Sequence, residues 1–115
     1  MSLHISEADW RRFKEVRTKS LERFCAQILE EAVALAQSPQ GSAYDRYLKL
    51  FKLIEERDRR IAQAFDDFRR STAVMQLGIM RRLKLVADEE LAGFSEETRI
   101  RVQGVASLRS KRERS

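Results

Sequence analysis

Four charged side chains stand together near the middle of the chain, in the segment FDDFRRS at residues 65–71. Asp66 and Asp67 precede Arg69 and Arg70. Two carboxylates beside two guanidiniums are residue types found in acid–base catalysis and in phosphate clamps. Adjacent residues on a helix point about 100° apart, however, so the two aspartates cannot share one proton or bracket one bond. The spacing favours intrahelical ion pairs on a solvated face, or a surface that binds a partner.

No other residues of a catalytic or metal site accompany this segment. Ser71 and Thr72 have no histidine nearby that would act as a base. The chain has one histidine, His4, which is too few ligands for a metal site. Its one cysteine, Cys25, lies on an apolar stripe and is typical of a small buried side chain. We therefore expect no enzyme activity, no cofactor and no metal. The candidate interaction residues are Asp66, Asp67, Arg69 and Arg70.

The composition predicts one highly charged helical domain. The chain has 115 residues, of which 36% are charged and 43% hydrophobic, with one proline and four glycines. That is too few turn residues for a β-rich fold. The net charge is +5, but residues 106–115 hold four basic and one acidic side chain, so little of it reflects a basic face. We predict a single domain over residues 1–105 and a disordered basic tail over 106–115.

The cysteine count and the lack of long apolar runs indicate the cellular compartment of the protein. A single cysteine excludes an intrachain disulfide and fits a reducing compartment. No apolar run reaches the length of a signal peptide or a membrane span. The sequence therefore predicts a cytoplasmic protein with no membrane partner.

Two long helices joined by a short loop account for residues 7–84. Ser6 and Ser42 each precede an aspartate by three residues, which is a helix-capping pattern. The segment SPQGS at 38–42 holds the only proline and breaks the chain between them. We predict helices over about 7–37 and 43–84, forming an antiparallel hairpin.

The second helix carries a seam close to a heptad repeat, with steps of three and four. The apolar residues of this seam are Tyr44, Tyr47, Phe51, Ile54, Ile61, Phe65, Phe68, Met75 and Ile79, and Asp58, Thr72 and Arg82 take the polar turns of the same register. Arg57 and Asp58 stand at its rim, where an apolar residue is expected. We interpret them as buried or half-buried polar residues that set register by reaching Glu22, Arg23, Thr18 or another subunit, and a ligand-binding role is the alternative.

The first helix is too short to cover the end of this seam, so Met75 to Val86 need another partner. We predict two short helices, about 88–93 and 96–106, that pack back over it. A second copy of the chain is the alternative, and both solutions are compatible. The expected fold is thus all-α, a long helical hairpin with two short C-terminal helices, which dimerisation would complete.

Three strings resemble a family of small uncharacterised bacterial proteins that has relatives in plants. They are HISEADWRRFKEVR, LERFC and LIEERDRRIAQAFDDFRRSTA. The resemblance covers most of residues 4–99 and implies an all-helical fold, and no established activity comes with it. It adds weight to the RD pair at 57–58 and to residues 65–71 as interaction residues.

Two functions from different classes follow from these features. The first is a cytoplasmic protein–protein interaction or scaffold module, partnered by a second copy or by another protein. The second is a nucleic-acid-binding accessory protein that uses a basic helix side and the tail. The residues of that basic side are Lys52, Arg59, Arg70, Arg81 and Lys84, interrupted by Glu56 and Asp66.

Overall fold

The computed structural model describes residues 5–114, and the side chains of residues 5–107. This part of the chain is helical and contains no strand. The α-helices are α1 (Glu7–Gln37), α2 (Ala43–Ile61), α3 (Ala73–Arg82), α4 (Asp88–Ala92) and α5 (Glu96–Arg114). The all-α class expected from the composition is confirmed.

Local capping starts the first two helices. The Ser6 hydroxyl accepts a hydrogen bond from the Asp9 amide at 3.1 Å, which satisfies one of the free N–H groups of α1. Ser42 and Asp45 form a reciprocal capping box at the start of α2. Between the two helices, Gly41 adopts a φ of +80°, which a residue without a Cβ accepts at little cost.

The single helix predicted over 43–84 is wrong, because the chain is interrupted between α2 and α3. One turn of π-helix spans Ala62–Asp66, residues 67–69 are not helical, and a 3₁₀ turn spans Arg70–Thr72. The backbone of Arg69 is fully extended, with φ −140° and ψ 153°. Residues 42–77 contain neither proline nor glycine. No proline or glycine therefore causes the interruption; it is held by contacts with α1 and by local hydrogen bonds from the Thr72 hydroxyl to the Asp67 and Arg69 carbonyls.

Helix α3 ends in a Schellman motif whose left-handed residue is Lys84, at φ 63°. The Leu85 amide donates to the Met80 carbonyl and the Lys84 amide donates to the Arg81 carbonyl, both at 2.9 Å. This motif turns the chain towards α4. Helix α5 then continues to Arg114, past the predicted end at residue 106. The disorder of residues 106–115 stays a prediction.

The buried residues collect in one half of the molecule. They come from the first part of α1, the interrupted segment and helices α3 to α5. We call this half the head. The remainder of α1 after Ile28, together with α2, forms the outer hairpin. The chain measures 54 × 32 × 23 Å with a radius of gyration of 16.6 Å, against about 13 Å for a compact domain of this length. The outer hairpin accounts for this elongation.

The chain's own C-terminal helices cover the end of the second apolar stripe. Ile79, Met80 and Val86 are buried in the head, as is Leu77. Of the stripe residues left over by α1, Met75 remains half exposed. The first of the two alternatives, helices that pack back on α3, is thus the one found within a single chain.

Candidate interaction surfaces

Asp66, Asp67 and Arg69 lie on the surface of the interrupted segment. The Arg69 guanidinium donates two hydrogen bonds to the Asp67 carboxylate, at 2.6 and 2.8 Å. The hydrogen bond from Arg69 holds the pKa of Asp67 below its usual value. All three side chains are exposed. The Asp67–Arg69 pair therefore closes on itself across a non-helical turn, and Asp66 projects beside it.

In a continuous helix, Arg70 would point away from the fold. In the structure it does not. Its guanidinium donates to the Ile5 carbonyl and to the Glu7 carboxylate, each at 3.0 Å. These bonds fasten the interrupted segment to the start of α1. Of the four predicted interaction residues, Arg70 is thus the one whose side chain is engaged by the fold itself.

An aromatic cluster, which the sequence placed in a simple seam, joins the interrupted segment to α1. The Phe68 ring lies 5.1 Å from the Trp10 ring and 6.2 Å from the Phe13 ring. The Arg17 guanidinium stands 4.7 Å from the centroid of Phe68, and its Nη2 donates to the Phe65 carbonyl at 2.5 Å. Phe68 remains 45% exposed. The aromatic spacing in both segments was visible in the sequence, but their pairing needed the fold.

Arg57 crosses to α1, though not to the predicted residues. Its guanidinium donates to Glu31 at 3.0 Å and also pairs with its neighbour Glu56. Asp58 is exposed, so the predicted burial of this residue is not found within one chain. Arg46 makes a second link, donating to the Ala36 carbonyl at 3.0 Å. The side of α2 that carries Arg46 and Arg57 therefore faces α1.

The predicted seam of α2 faces outward instead. None of the residues of α2, all within the described part of the chain, is buried. The exposed apolar residues of the outer hairpin are Leu29, Val33, Tyr44, Tyr47, Phe51 and Ile54. We call the four on α2 the outer stripe. They recur at steps of three and four, so they line one side of the helix. Their relative exposure ranges from 45% at Ile54 to 66% at Tyr44.

A buried carboxylate links the first turn of α1 to the first turn of α5. Asp9 is 4% exposed and accepts hydrogen bonds from the Ser95 amide (3.0 Å), the Ser95 hydroxyl (2.6 Å) and the Thr98 hydroxyl (2.7 Å). Burial raises the pKa of Asp9, but these bonds and the charge of Arg12 outweigh it and leave the pKa lowered. All the donors are protein groups, so the cluster serves as a clamp. The sequence indicated only a capping acid here.

A second clamp fixes the turn after α3. The Ser20 hydroxyl and the Arg23 guanidinium both donate to the Leu85 carbonyl, each at 2.9 Å. Arg23 also forms a two-point ion pair with Glu90, at 2.6 and 2.8 Å. The hydrogen bond from Arg23 is the main reason that the pKa of Glu90 is lowered.

The described residues contain no group of three or more His, Cys, Asp or Glu side chains that could hold a metal ion. His4 lies outside the described residues. Cys25 is a half-buried free thiol on α1. No helix in the described part of the chain is long and apolar enough to cross a membrane.

The basic residues of the nucleic-acid alternative do not follow one helix. Lys52 and Arg59 lie on α2, whereas Arg81 lies beyond the interruption and pairs with Asp88. Arg70 is bound to Ile5 and Glu7, as described above. The structure does not describe the side chains of the tail from residue 108 onward. The interruption thus removes the continuous basic side that the sequence suggested.

Comparison with known proteins gives one informative likeness. No family model matches the chain, and no curated protein matches it. Among solved structures, the Fluorescence Recovery Protein from Synechocystis sp PCC 6803, in its R60K mutant form, matches with a TM-score of 0.76. The two chains are 20% identical, and the match covers 89% of this chain and 97% of the other. The chain therefore shares its fold with this small helical bacterial protein.

Proposed function

We propose that the chain is a protein–protein interaction module that pairs with a second copy through the outer stripe. The observation that carries this proposal is that α2 exposes its large apolar side chains while none of its residues is buried. A helix with so strong an apolar side rarely stays uncovered in water. The module acts by binding and not by catalysis, and we expect it in the cytoplasm.

The size of the stripe fits a dimer interface. Aromatic side chains bury about 150–250 Å² each, so the half-exposed stripe offers apolar area on the order of 400 Å² per copy. A standard interface buries about 800 Å² per partner, and a little over half of that is apolar. The stripe thus supplies roughly the apolar part of a stable interface.

Sedimentation of stripe variants tests the proposal. Phe51→Asp puts a charge in the centre of the interface and should convert the dimer into a monomer. Lys49→Asp introduces the same residue on the opposite side of α2 and should leave the dimer intact. If Phe51→Asp sediments as the unchanged chain does, the stripe does not pair the copies.

Asp58 is proposed to set the register of this pair. It is exposed in the single chain, while its neighbour Arg57 is bound to Glu31 on α1. Asp58→Leu should leave the fold intact and broaden the sedimentation profile, because an apolar residue no longer selects one register. A profile that stays as sharp as that of the unchanged chain would contradict this role.

Asp66 and the Asp67–Arg69 pair are proposed as a separate polar contact surface for another protein. They are exposed beside the half-exposed ring of Phe68. Asp66→Ala combined with Arg69→Ala should leave both unfolding and self-association unchanged and reduce the amount of any protein that co-purifies with the native chain. Equal recovery of that protein with the double variant would remove this surface from consideration.

A further inference from the structure

The segment 62–72 is interrupted although its sequence is suited to a helix. It contains no proline and no glycine, and apolar residues continue across it at helical spacing. Alanine, glutamine and arginine in this segment are good helix formers. A continuous helix from Ala43 to Arg82 is therefore a second conformation that the local sequence supports.

Contacts from the start of α1 hold the interrupted conformation, together with hydrogen bonds from the Thr72 hydroxyl to the Asp67 and Arg69 carbonyls. Arg17 donates to the Phe65 carbonyl, and its guanidinium lies over the ring of Phe68. Arg70 donates to the Ile5 carbonyl and to Glu7. These contacts must be given up if the helix straightens, and the helical hydrogen bonds missing at residues 67–69 are gained in return.

A straight helix does not fit the present shape. At about 1.5 Å per residue, the helix from Ala43 to Arg82 would be about 60 Å long, which exceeds the 54 Å longest dimension of the chain. Straightening therefore carries α3, α4 and α5 away from α1. The buried surfaces of both parts, including Phe13 and Met80, would then be exposed to water.

We propose that the segment 62–72 is a two-state hinge through which two copies of the chain exchange heads. In the second state, α3 to α5 of one copy dock on α1 of the other copy. The occupant is a second copy because only that chain offers the same buried surface and the same polar clamps. These clamps join Asp9 to Ser95, Ser20 to Leu85 and Arg23 to Glu90. Exchange of identical elements reproduces the intrachain contacts, so its main cost is the change in the hinge.

Two substitutions of Arg70 separate the two states. Both Arg70→Ala and Arg70→Pro remove the bonds to Ile5 and Glu7 that hold the interruption. Alanine supports a continuous helix, whereas proline breaks a helix interior. Proline fits the interrupted state, because residue 70 begins a 3₁₀ turn and the extended Arg69 before it has the backbone that precedes proline. The proposal predicts exchange with alanine and none with proline.

Cross-linking between singly substituted chains reports the exchange. A Cβ at Gly93 would lie 2.9 Å from Cδ of Arg12, so cysteines at these two positions are close only where a head docks on α1. Chains with Arg12→Cys are mixed with chains that carry Gly93→Cys, each also bearing Cys25→Ser. A short thiol cross-linker then gives a covalent heterodimer only if the head of one chain reaches α1 of the other.

The experiment is run with Phe51→Asp in every chain, which removes pairing through the outer stripe. After incubation at high concentration, Arg70→Ala should give roughly tenfold more covalent heterodimer than Arg70→Pro, since proline excludes the continuous helix. Equal yields from the two variants would overturn the proposal. Should Arg70→Ala fail to fold, chains with Arg70 retained are mixed near the denaturation midpoint and refolded together. Heterodimer that forms in the mixture with Arg70 retained but not in the mixture with Arg70→Pro supports exchange. No heterodimer in either mixture contradicts it.

Discussion

The Asp9 carboxylate lies 2.6 Å from the hydroxyl of Ser95, 86 positions away in the chain. Because Ser95 directly precedes α5, this bond ties the first turn of α1 to the first turn of α5. Both oxygens of Asp9 are occupied by donors from this one region. A single buried carboxylate thus joins the start of α1 to the start of α5 within the head.

We expect Asp9→Asn to lower the free energy of unfolding at neutral pH by about 1–3 kcal/mol. The side-chain NH₂ of asparagine is a donor, and it would face the donor groups of Ser95 and Thr98. The pKa of Asp9 is lower in the folded chain than in the unfolded one. Its carboxylate therefore stabilises the fold above an unfolded pKa of about 3.9, and that contribution is lost as the pH falls through the folded pKa.

Urea unfolding between about pH 6 and pH 2 measures this dependence. The variant should show a shallower loss of stability below about pH 4 than the unchanged chain. The stability of the variant should still fall somewhat at low pH, because the pKa of Glu90 is also lowered in the folded chain and its carboxylate likewise stabilises the fold only while it is ionised. Parallel curves for the two chains would contradict the role of Asp9.

Gly78→Ala should destabilise the packing of α3 on α5. A Cβ at Gly78 would lie 2.6 Å from Cβ of Val105 and closer still to its Cγ1, so the helices would have to separate. We expect a loss of about 1–3 kcal/mol in the free energy of unfolding. Gly104→Ala is the matched control, since a Cβ there meets no atom within 4 Å. The control should gain up to about 1 kcal/mol from helix propensity. Similar effects of the two substitutions would show that α3 and α5 are not in close contact.

Lys84→Gly should stabilise the chain. Lys84 has a φ of 63°, and a side chain costs about 1–2 kcal/mol in this left-handed conformation. Glycine removes that cost but adds freedom to the unfolded chain, so the net gain should be about 1 kcal/mol. Thermal unfolding of Lys84→Gly and Lys84→Ala separates the backbone effect from the loss of the charge. Alanine keeps the Cβ, so an equal gain in the alanine variant would rule out the strain.

Gln76→Met should also stabilise the chain. Gln76 is 2% exposed on α3, and neither its Oε1 nor its Nε2 has a hydrogen-bond partner in the described part of the chain. Removal of an unsatisfied buried amide should gain about 1–3 kcal/mol, and methionine has a similar length. Gln76→Glu serves as the opposite control, because a buried carboxylate in the same place should be strongly destabilising. Denaturant unfolding of both variants gives the comparison, and a loss of stability with methionine would show that the amide is satisfied.

Local rules were sufficient for the helix starts and for the loop between α1 and α2. Ser6 and Ser42 cap helices because their hydroxyls satisfy amides three residues further along. The proline and glycine at 39 and 41 end the first helix for reasons of backbone geometry. These effects act over one turn of helix and need no tertiary partner. The candidate residues Asp66, Asp67 and Arg69 are found at the surface, while Arg70 is drawn into the fold by Ile5 and Glu7.

The sequence by itself thus determined the all-helical class and the capped starts of α1 and α2, because hydroxyl caps and helix breakers act between near neighbours. Only the tertiary structure decided that the long second helix is interrupted, that its apolar stripe faces outward and that Asp9 meets Ser95. Each of these depends on groups far apart in sequence, such as Arg17 with Phe65 and Arg57 with Glu31. Helical periodicity records which residues share a face. It does not specify which surface packs against that face, because which apolar surfaces are buried depends on all the apolar surfaces of the folded chain together.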